Sequence, residues 1–323
     1  MKCLGIESTA HTLGVAIIDG KKVLSNVSDT YKTEKGGIIP AEAAKHHIRL
    51  KKKLLEDALG KARANMKHID LIAYSRAPGL APCLKQGYLF AEELSKKFKK
   101  PLIGVNHCIA HLEIGRVMTR AKDPVMLYAS GANTQIIAYA AGKYRIFGET
   151  LDIGIGNFID TFARTAGLGF PGGPKIAALA EKGRELIELP YTVKGMDVAF
   201  SGLLTNLQQK LHSKKFSLEN LSYSLQETAF PMLIEVAERA MAHLNKKELL
   251  MGGGVACNTR LQAMAKKMCE ERGAKFFCPE RQFLVDNAAM IAWLGILMHK
   301  SGAKTKLDFD PAERTDEVEV RWR

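Results

Sequence analysis

No apolar run in this sequence approaches the ~18 residues that a membrane-spanning helix needs. The longest, residues 288–298, reads instead as a buried helix. No secretory core is present at the start, because Met1 to Ile6 runs directly into Glu7. A cytoplasmic protein without membrane association is therefore expected. The six cysteines (Cys3, Cys83, Cys108, Cys257, Cys269, Cys278) include no C-x-x-C pair. That speaks against a zinc knuckle or a disulfide framework and suits a reducing compartment. Aromatics are few, at 7%, in a composition otherwise ordinary for a globular enzyme.

What is present in excess is positive charge. The formal net charge is +13, with lysine clusters at Lys51-Lys52-Lys53 and at Lys96-Lys97 with Lys99-Lys100. Two readings stay open: a polyanionic partner, whose phosphates release counterions when neutralised, or a solvated lysine-rich surface. At 323 residues the chain can bury a large core, and two domains are expected.

The pattern of elements runs through the chain twice. Alternating apolar segments predict strands at 2–8, 12–18 and 23–30, with Asp19-Gly20 as a turn. Helices and strands then alternate: a helix over 41–64, a strand over 69–74, a helix over 83–97, a strand over 102–106, and a helix holding His107 and His111. At Pro124 the scheme restarts. Strands are expected at 125–129, 135–140 and 144–150, around the polar loop Ser130-Gly131-Ala132-Asn133-Thr134. Helices follow at 157–165, 202–211 and 218–244, then a strand (249–252), a helix (259–272), a strand (275–278) and a last helix (287–300). Two α/β domains with mixed sheets facing across a cleft are expected, 1–123 and 124–300, with residues 301–323 returning to the first. A polar hairpin loop in each half would offer backbone N–H groups to a phosphate held between them. Two unrelated α/β domains with ordinary turns would give the same pattern.

His107-Cys108-Ile109-Ala110-His111 sets two imidazoles four residues apart, on one helix face, close enough to share a metal. Such spacing is common in surface pairs, and the adjacent His46-His47 is read as one. The pair also lacks the glutamate that a zincin protease places after its first histidine. Asp286, just before the last helix, can supply a third ligand, and Tyr128, beside the second-half loop, a fourth. Two histidines, an aspartate and a tyrosine suit iron(II) or zinc and leave positions open for substrate. Two glycine-rich stretches follow. Gly167-Leu168-Gly169-Phe170-Pro171-Gly172-Gly173-Pro174 is read as a rigid backbone facing something flat or phosphorylated, and Met251-Gly252-Gly253-Gly254-Val255-Ala256-Cys257-Asn258 as a strand, loop and helix start. There Asn258 offers a donor and an acceptor to a base or ribose. Neither stretch is read as a dinucleotide fingerprint or a P-loop, and either alone can be structural.

Taken together, Gly5-Ile6-Glu7-Ser8-Thr9-Ala10-His11-Thr12, Asn106-His107-Cys108-Ile109-Ala110-His111, residues 148–160, Phe200-Ser201-Gly202-Leu203 and the tail Arg314-Thr315-Asp316-Glu317-Val318-Glu319-Val320-Arg321-Trp322 resemble the KEOPS catalytic subunit family. The resemblance runs nearly end to end, and the tail is similar to archaeal and eukaryotic members. It implies two ribonuclease H-like domains of the actin, hexokinase and heat-shock chaperone superfamily. It also implies the last step in making N6-threonylcarbamoyladenosine beside the tRNA anticodon, with threonylcarbamoyl-AMP, or ATP, as the bound adenosine nucleotide. By the family's pattern His107, His111, Tyr128 and Asp286 hold one iron or zinc. Tyr128, Ala129, Ser130, Gly131, Ala132, Asp160, Gly173 and Asn258 would bind the adenylate, and Glu7 is the candidate catalytic residue. The implied partners are tRNA, a small kinase-like protein and two further small subunits. Four departures from that pattern stand out. Ala132 sits in place of a glycine, Ala77-Pro78-Gly79-Leu80-Ala81-Pro82 and Asp286-Asn287-Ala288 carry alanines for glycines, and Ala177 replaces a glutamate expected to hold ribose. A subunit that binds tRNA and metal with feeble transfer, a metallopeptidase, or a sugar or acetate kinase of the same superfamily are the alternatives.

Overall fold

A computed structural model describes residues 1–33 and 37–323. The first half opens with β1 (Lys2–Glu7), β2 (Thr12–Asp19) and β3 (Lys22–Thr30). It continues through α1 (Pro40–Lys61), β4 (Leu71–Ala77), α2 (Ala81–Phe98), β5 (Leu102–Asn106) and α3 (His107–Thr119). The second half begins with β6 (Val125–Ala129), β7 (Thr134–Ala140) and β8 (Lys143–Glu149). Next come α4 (Ile155–Thr165), α5 (Gly173–Ala180), the two-residue strands β9 (Val193–Lys194) and β10 (Asp197–Val198), α6 (Ser201–His212) and α7 (Leu218–His243). The chain finishes with β11 (Glu248–Gly252), α8 (Thr259–Glu271), β12 (Lys275–Phe277), α9 (Arg281–Leu284) and α10 (Ala288–Lys300). Among the described residues no helix is long and apolar enough to cross a membrane.

Both large sheets follow one plan. The first has the order β3-β2-β1-β4-β5, with β1 antiparallel to β2 and parallel to β4. The second has the order β8-β7-β6-β11-β12, with β6 antiparallel to β7 and parallel to β11. The restart at Pro124 therefore repeats a whole sheet, not merely a hairpin.

Side-chain alternation along the central strands builds the layers. Leu4 and Ile6 of β1 face α1 and α2, while Cys3 joins the core formed with α10. On β6, Val125, Leu127 and Ala129 pack toward α4 and α7, whereas Met126 and Tyr128 turn the other way, into the core with α3 and α10. Helices α3 and α10 thus fill the space between the sheets. α10 is buried around almost its whole circumference, as an all-apolar helix must be. Its residues fall within 124–300, yet they pack on β1, β2 and β4 of the first sheet. Glycine makes this close approach possible: a Cβ added to Gly5 would collide with Ala288 O and reach Ala292 N at 2.8 Å.

Two expectations need correction. The stretch leading to Pro174 is not all rigid loop: Gly173 opens α5, with proline in its first turn, where the missing N–H costs nothing. His46 and His47 are not a surface pair, for both are buried on the inner face of α1. His46 Nε2 lies 2.8 Å from Asp29 Oδ1, and His47 Nε2 lies 3.1 Å from Ala10 O.

Burial, with His46 adding to it, pushes the His47 pKa down to about 4. The unfolded imidazole titrates near 6.5. Between those values the unfolded chain binds the extra proton, so the stabilising contribution is complete above about 6.5 and drains away as pH falls toward about 4. Its size is on the order of 3 kcal/mol. His47→Gln keeps a donor for Ala10 O but cannot titrate, so the pH 4.5-to-7 difference in urea-unfolding stability should shrink by most of that amount. An unchanged difference would place the acid sensitivity elsewhere.

Candidate functional site

Asn106 ends β5 and caps α3, its Oδ1 accepting from Cys108 N at 3.1 Å and Ile109 N at 3.2 Å. That cap fixes the first turn of α3, from which His107 and His111 project on one face. Asn287 does the same for α10, accepting from Met290 N at 3.0 Å and donating to Val285 O at 2.8 Å, which leaves Asp286 just outside the helix. Tyr128 arrives from the inner face of β6.

The four groups meet at one point. His107 Nε2 lies 3.1 Å from Tyr128 OH, and both His107 Nε2 and His111 Nε2 lie 3.4 Å from Asp286 Oδ1. One donor atom from each of His107, His111 and Asp286 falls within 4.8 Å of the others. Bonds of about 2.1 Å to one ion set neighbouring donors about 3.0–3.4 Å apart, so this donor set fits a first-row transition metal or zinc. The His111 side chain is fully buried and that of His107 nearly so, while Asp286 keeps 22% exposure and marks the open side. Behind the cluster, Glu7 Oε2 lies 3.0 Å from His107 Nδ1, and its Oε1 accepts from Thr9 N at 2.7 Å and Thr9 Oγ1 at 2.5 Å. Glu7 therefore stands behind a candidate ligand, where it fixes ring orientation and tautomer.

The electrostatics fit a cation site. Burial alone would depress His107, but the Glu7 and Asp286 carboxylates hold it well above the usual imidazole range. Burial, joined by the charge on His107, lowers His111. Burial works to raise Asp286, and His107 overrides it, holding this carboxyl well below its usual range. Burial raises the Tyr128 phenol well above its ordinary value. A divalent ion at this point would meet the same carboxylates that favour the charged form of His107.

The loop after β6 packs on the start of α4. Gly156 N donates to Ser130 O at 3.0 Å and Asn157 N to Gly131 O at 2.9 Å, while Gly131 and Ala132 remain exposed. Gly253, with φ of +90°, fits against Ala129 O and Ser130 N, so the second glycine-rich stretch closes on this loop. Ala77, Ala81, Ala132 and Ala288 are absent from the described residues with positive φ, so none of these backbones requires glycine. Asp160 Oδ1 accepts from Gly172 N at 2.7 Å, and burial raises its pKa; it clasps the turn into α5. A Cβ on Gly173 would meet nothing within 4 Å, so the first turn of α5 faces open space. From the first half, His11 reaches across to Phe170, ring centroids 5.7 Å apart. Asn258 is more committed than its sequence context suggests. Its Oδ1 caps α8, accepting from Arg260 N at 2.9 Å and Leu261 N at 3.1 Å, and its Nδ2 donates to Gln226 Oε1 at 2.7 Å. One N–H is left for a ligand. Residues 167–172 do match G-x-G-x-x-G by letter, but they join α4 to α5 and follow no strand, so the dinucleotide context is missing.

Thr9, Asn106 and Asn287 support the cluster and were not singled out in the sequence. Asparagine just before an apolar helical run is the signal that marks the two caps.

A family model described as tRNA N6-adenosine threonylcarbamoyltransferase matches residues 22–293. The chain belongs to that family. The family's name describes a transferase that acts on N6 of adenosine in tRNA, as the sequence motifs led us to expect. The similar tRNA N6-adenosine threonylcarbamoyltransferase of Thermococcus kodakarensis is 56% identical over 325 residues, covering 100% of both chains. A probable bifunctional tRNA threonylcarbamoyladenosine biosynthesis protein of Methanosarcina mazei is 53% identical over 99% of this chain and 59% of its own length. Among solved structures, HypF of T. kodakarensis superposes with a TM-score of 0.67 at 14% identity, over 94% of this chain and 48% of its own. The activator of 2-hydroxyisocaproyl-CoA dehydratase from Clostridium difficile gives 0.58 at 11% identity, over 94% and 97%. These two share the fold, paired α/β domains with mixed sheets.

Proposed function

We propose that this chain transfers the threonylcarbamoyl group from threonylcarbamoyl-AMP to N6 of the adenosine beside the anticodon, in tRNAs reading codons that begin with A. The observation that carries this reading is the meeting of His107, His111, Asp286 and Tyr128 at one point, with Asp286 part-exposed at its side. One iron(II) or zinc held by these four would supply a Lewis-acid contact to the carbamoyl carbonyl. Glu7 keeps the His107 Nε2 lone pair turned toward that point by accepting from Nδ1. The exposed backbone of Gly131 and Ala132, with Ser130, Ala129 and Tyr128 leading into it, supports the adenylate-binding role of this loop. Gly173, presented at the open start of α5, supports a second contact, and AMP is the leaving group.

The net charge of +13 suits tRNA. Not every lysine is free for it: Lys51 pairs with Glu93 at 3.1 Å and Lys96 with Glu92 at 3.0 Å. We assign the protein to the cytoplasm and to a KEOPS-type assembly with a small kinase-like protein and two further small subunits. The test is mass spectrometry of tRNA nucleosides after incubation with threonylcarbamoyl-AMP. Threonylcarbamoyladenosine should form, and more of it with those subunits added. No product from the complete mixture would reject the assignment.

Ala177 gives a second test. It lies one helical turn after Gly173, on the same face of α5, and is half-buried. A glutamate there could accept hydrogen bonds from ribose hydroxyls, each contributing about 1.5–3 kcal/mol when charge-assisted. Ala177→Glu is expected to tighten binding of a non-hydrolysable adenylate analogue by roughly one to two orders of magnitude, with metal content unchanged. Equal calorimetric affinities would mean that ribose is held elsewhere.

A further inference from the structure

Every residue of α3 from His107 to Gly115 is buried. A helix set in apolar packing can rotate or slide by small amounts at little cost, unless polar anchors fix its register. Here the anchors come from the end of the chain. Glu313 Oε2 accepts from the Asn106 side-chain amide at 3.4 Å, so it holds the residue that caps α3. Its other oxygen pairs with Arg76 of β4, whose Nε bonds Asp308 Oδ1 at 2.7 Å. Thr315, itself buried, lies beside the Cys108 thiol in the first turn.

The third anchor is Glu113, a buried carboxylate on α3. It accepts from Arg116 Nη1 at 2.6 Å, from Trp322 Nε1 at 2.9 Å and from Tyr144 OH. Arg323 covers this group, its guanidinium 4.4 Å from the Tyr139 ring centroid and donating to Lys122 O at 2.9 Å. Glu113 lies two residues beyond His111, about 200° around the helix, so pinning it sets the angle at which both histidines face Asp286. A buried carboxylate stripped of donors is costly, which makes this register strongly preferred.

We propose that residues 308–323 form a strap that sets the register of α3, with Glu113 and Trp322 as positioning residues for the histidine pair. The proposal rests on the metal reading of that pair, and the experiment separates the two. Trp322→Phe removes one donor and keeps a ring; Glu113→Gln keeps acceptors for Trp322 and Tyr144; Glu113→Ala removes both. Each is titrated with cobalt(II), following the visible absorption band, and amide exchange along α3 is compared with that along α10. Leu207→Ala, in the α6 core far from the strap, controls for lost stability.

Glu113→Ala should weaken cobalt binding by about tenfold, shift the band and speed exchange in α3 before α10. Glu113→Gln should recover most of the loss, Trp322→Phe should fall between, and Leu207→Ala should bind cobalt as the parent does. Parental affinity, band and α3 exchange in both Glu113→Ala and Trp322→Phe would overturn the strap, as would equal losses in Leu207→Ala. If the parent itself takes no cobalt, the metal reading fails, and α3 exchange alone decides the strap. Should Glu113→Ala not fold, the milder Trp322→Phe and Glu113→Gln carry the comparison.

Discussion

His107→Ala combined with His111→Ala is expected to bring bound metal from close to one ion per chain to background, and transfer down by at least about a thousandfold. The magnitude follows from the several kcal/mol that a Lewis-acid contact contributes to a developing charge, each 1.36 kcal/mol being a factor of ten. Both side chains are almost wholly buried, so two cavities are left and stability will fall. Metal analysis on folded protein, checked by circular dichroism, separates loss of ligands from loss of structure. A double variant with parental metal content would show that these imidazoles are not the site.

The second large effect concerns packing, and it reaches the same site from another direction. Gly5→Val places a branched side chain where Ala288 O, Ala292 N and Ala292 Cβ already stand, so α10 must move off β1. Overpacking of this kind costs about 1–3 kcal/mol, and more where backbone atoms obstruct. Because Asp286 lies two residues before Ala288, the displaced helix carries a candidate ligand with it. Urea unfolding should show the stability loss, and cobalt titration of the folded fraction a weaker site. Parental values for both would mean that α10 can shift without cost.

The sequence made the repeat legible because each half starts with the same alternation and turn signals, and because the long helix α1 carries apolar periodicity. It also brought His107, His111, Tyr128 and Asp286 together as a candidate set before any geometry was in hand. What it hid was packing direction. The apolar α10 has no polar face to say which sheet it will choose, and small residues such as Gly5, Gly14 and Ala73, with Gly295 on α10 itself, are the hint. His46-His47 looked like a surface pair because nothing local reveals that Asp29 and Ala10, far back in the chain, wait as partners. Asn258 caps its own helix, a local signal, but its bond to Gln226 exists only once α7 and α8 meet. Short elements such as α5 and the β9–β10 pair lie below the length at which periodicity speaks.

The position of α10 also limits how the two halves can move. A body joined to another by one flexible link can swing and twist freely. Here the chain crosses between the sheets twice, from α3 into β6 and from α9 into α10. Two such crossings leave a single hinge line, about which the halves can only open like a door. The tail adds a third point, with Arg314 on Glu149 at 3.0 Å and Trp322 beside Tyr144, both partners on β8. Where that point lies off the hinge line, the door cannot open until the tail peels away. Any movement of the two halves apart must then also break the tail's contacts around β8.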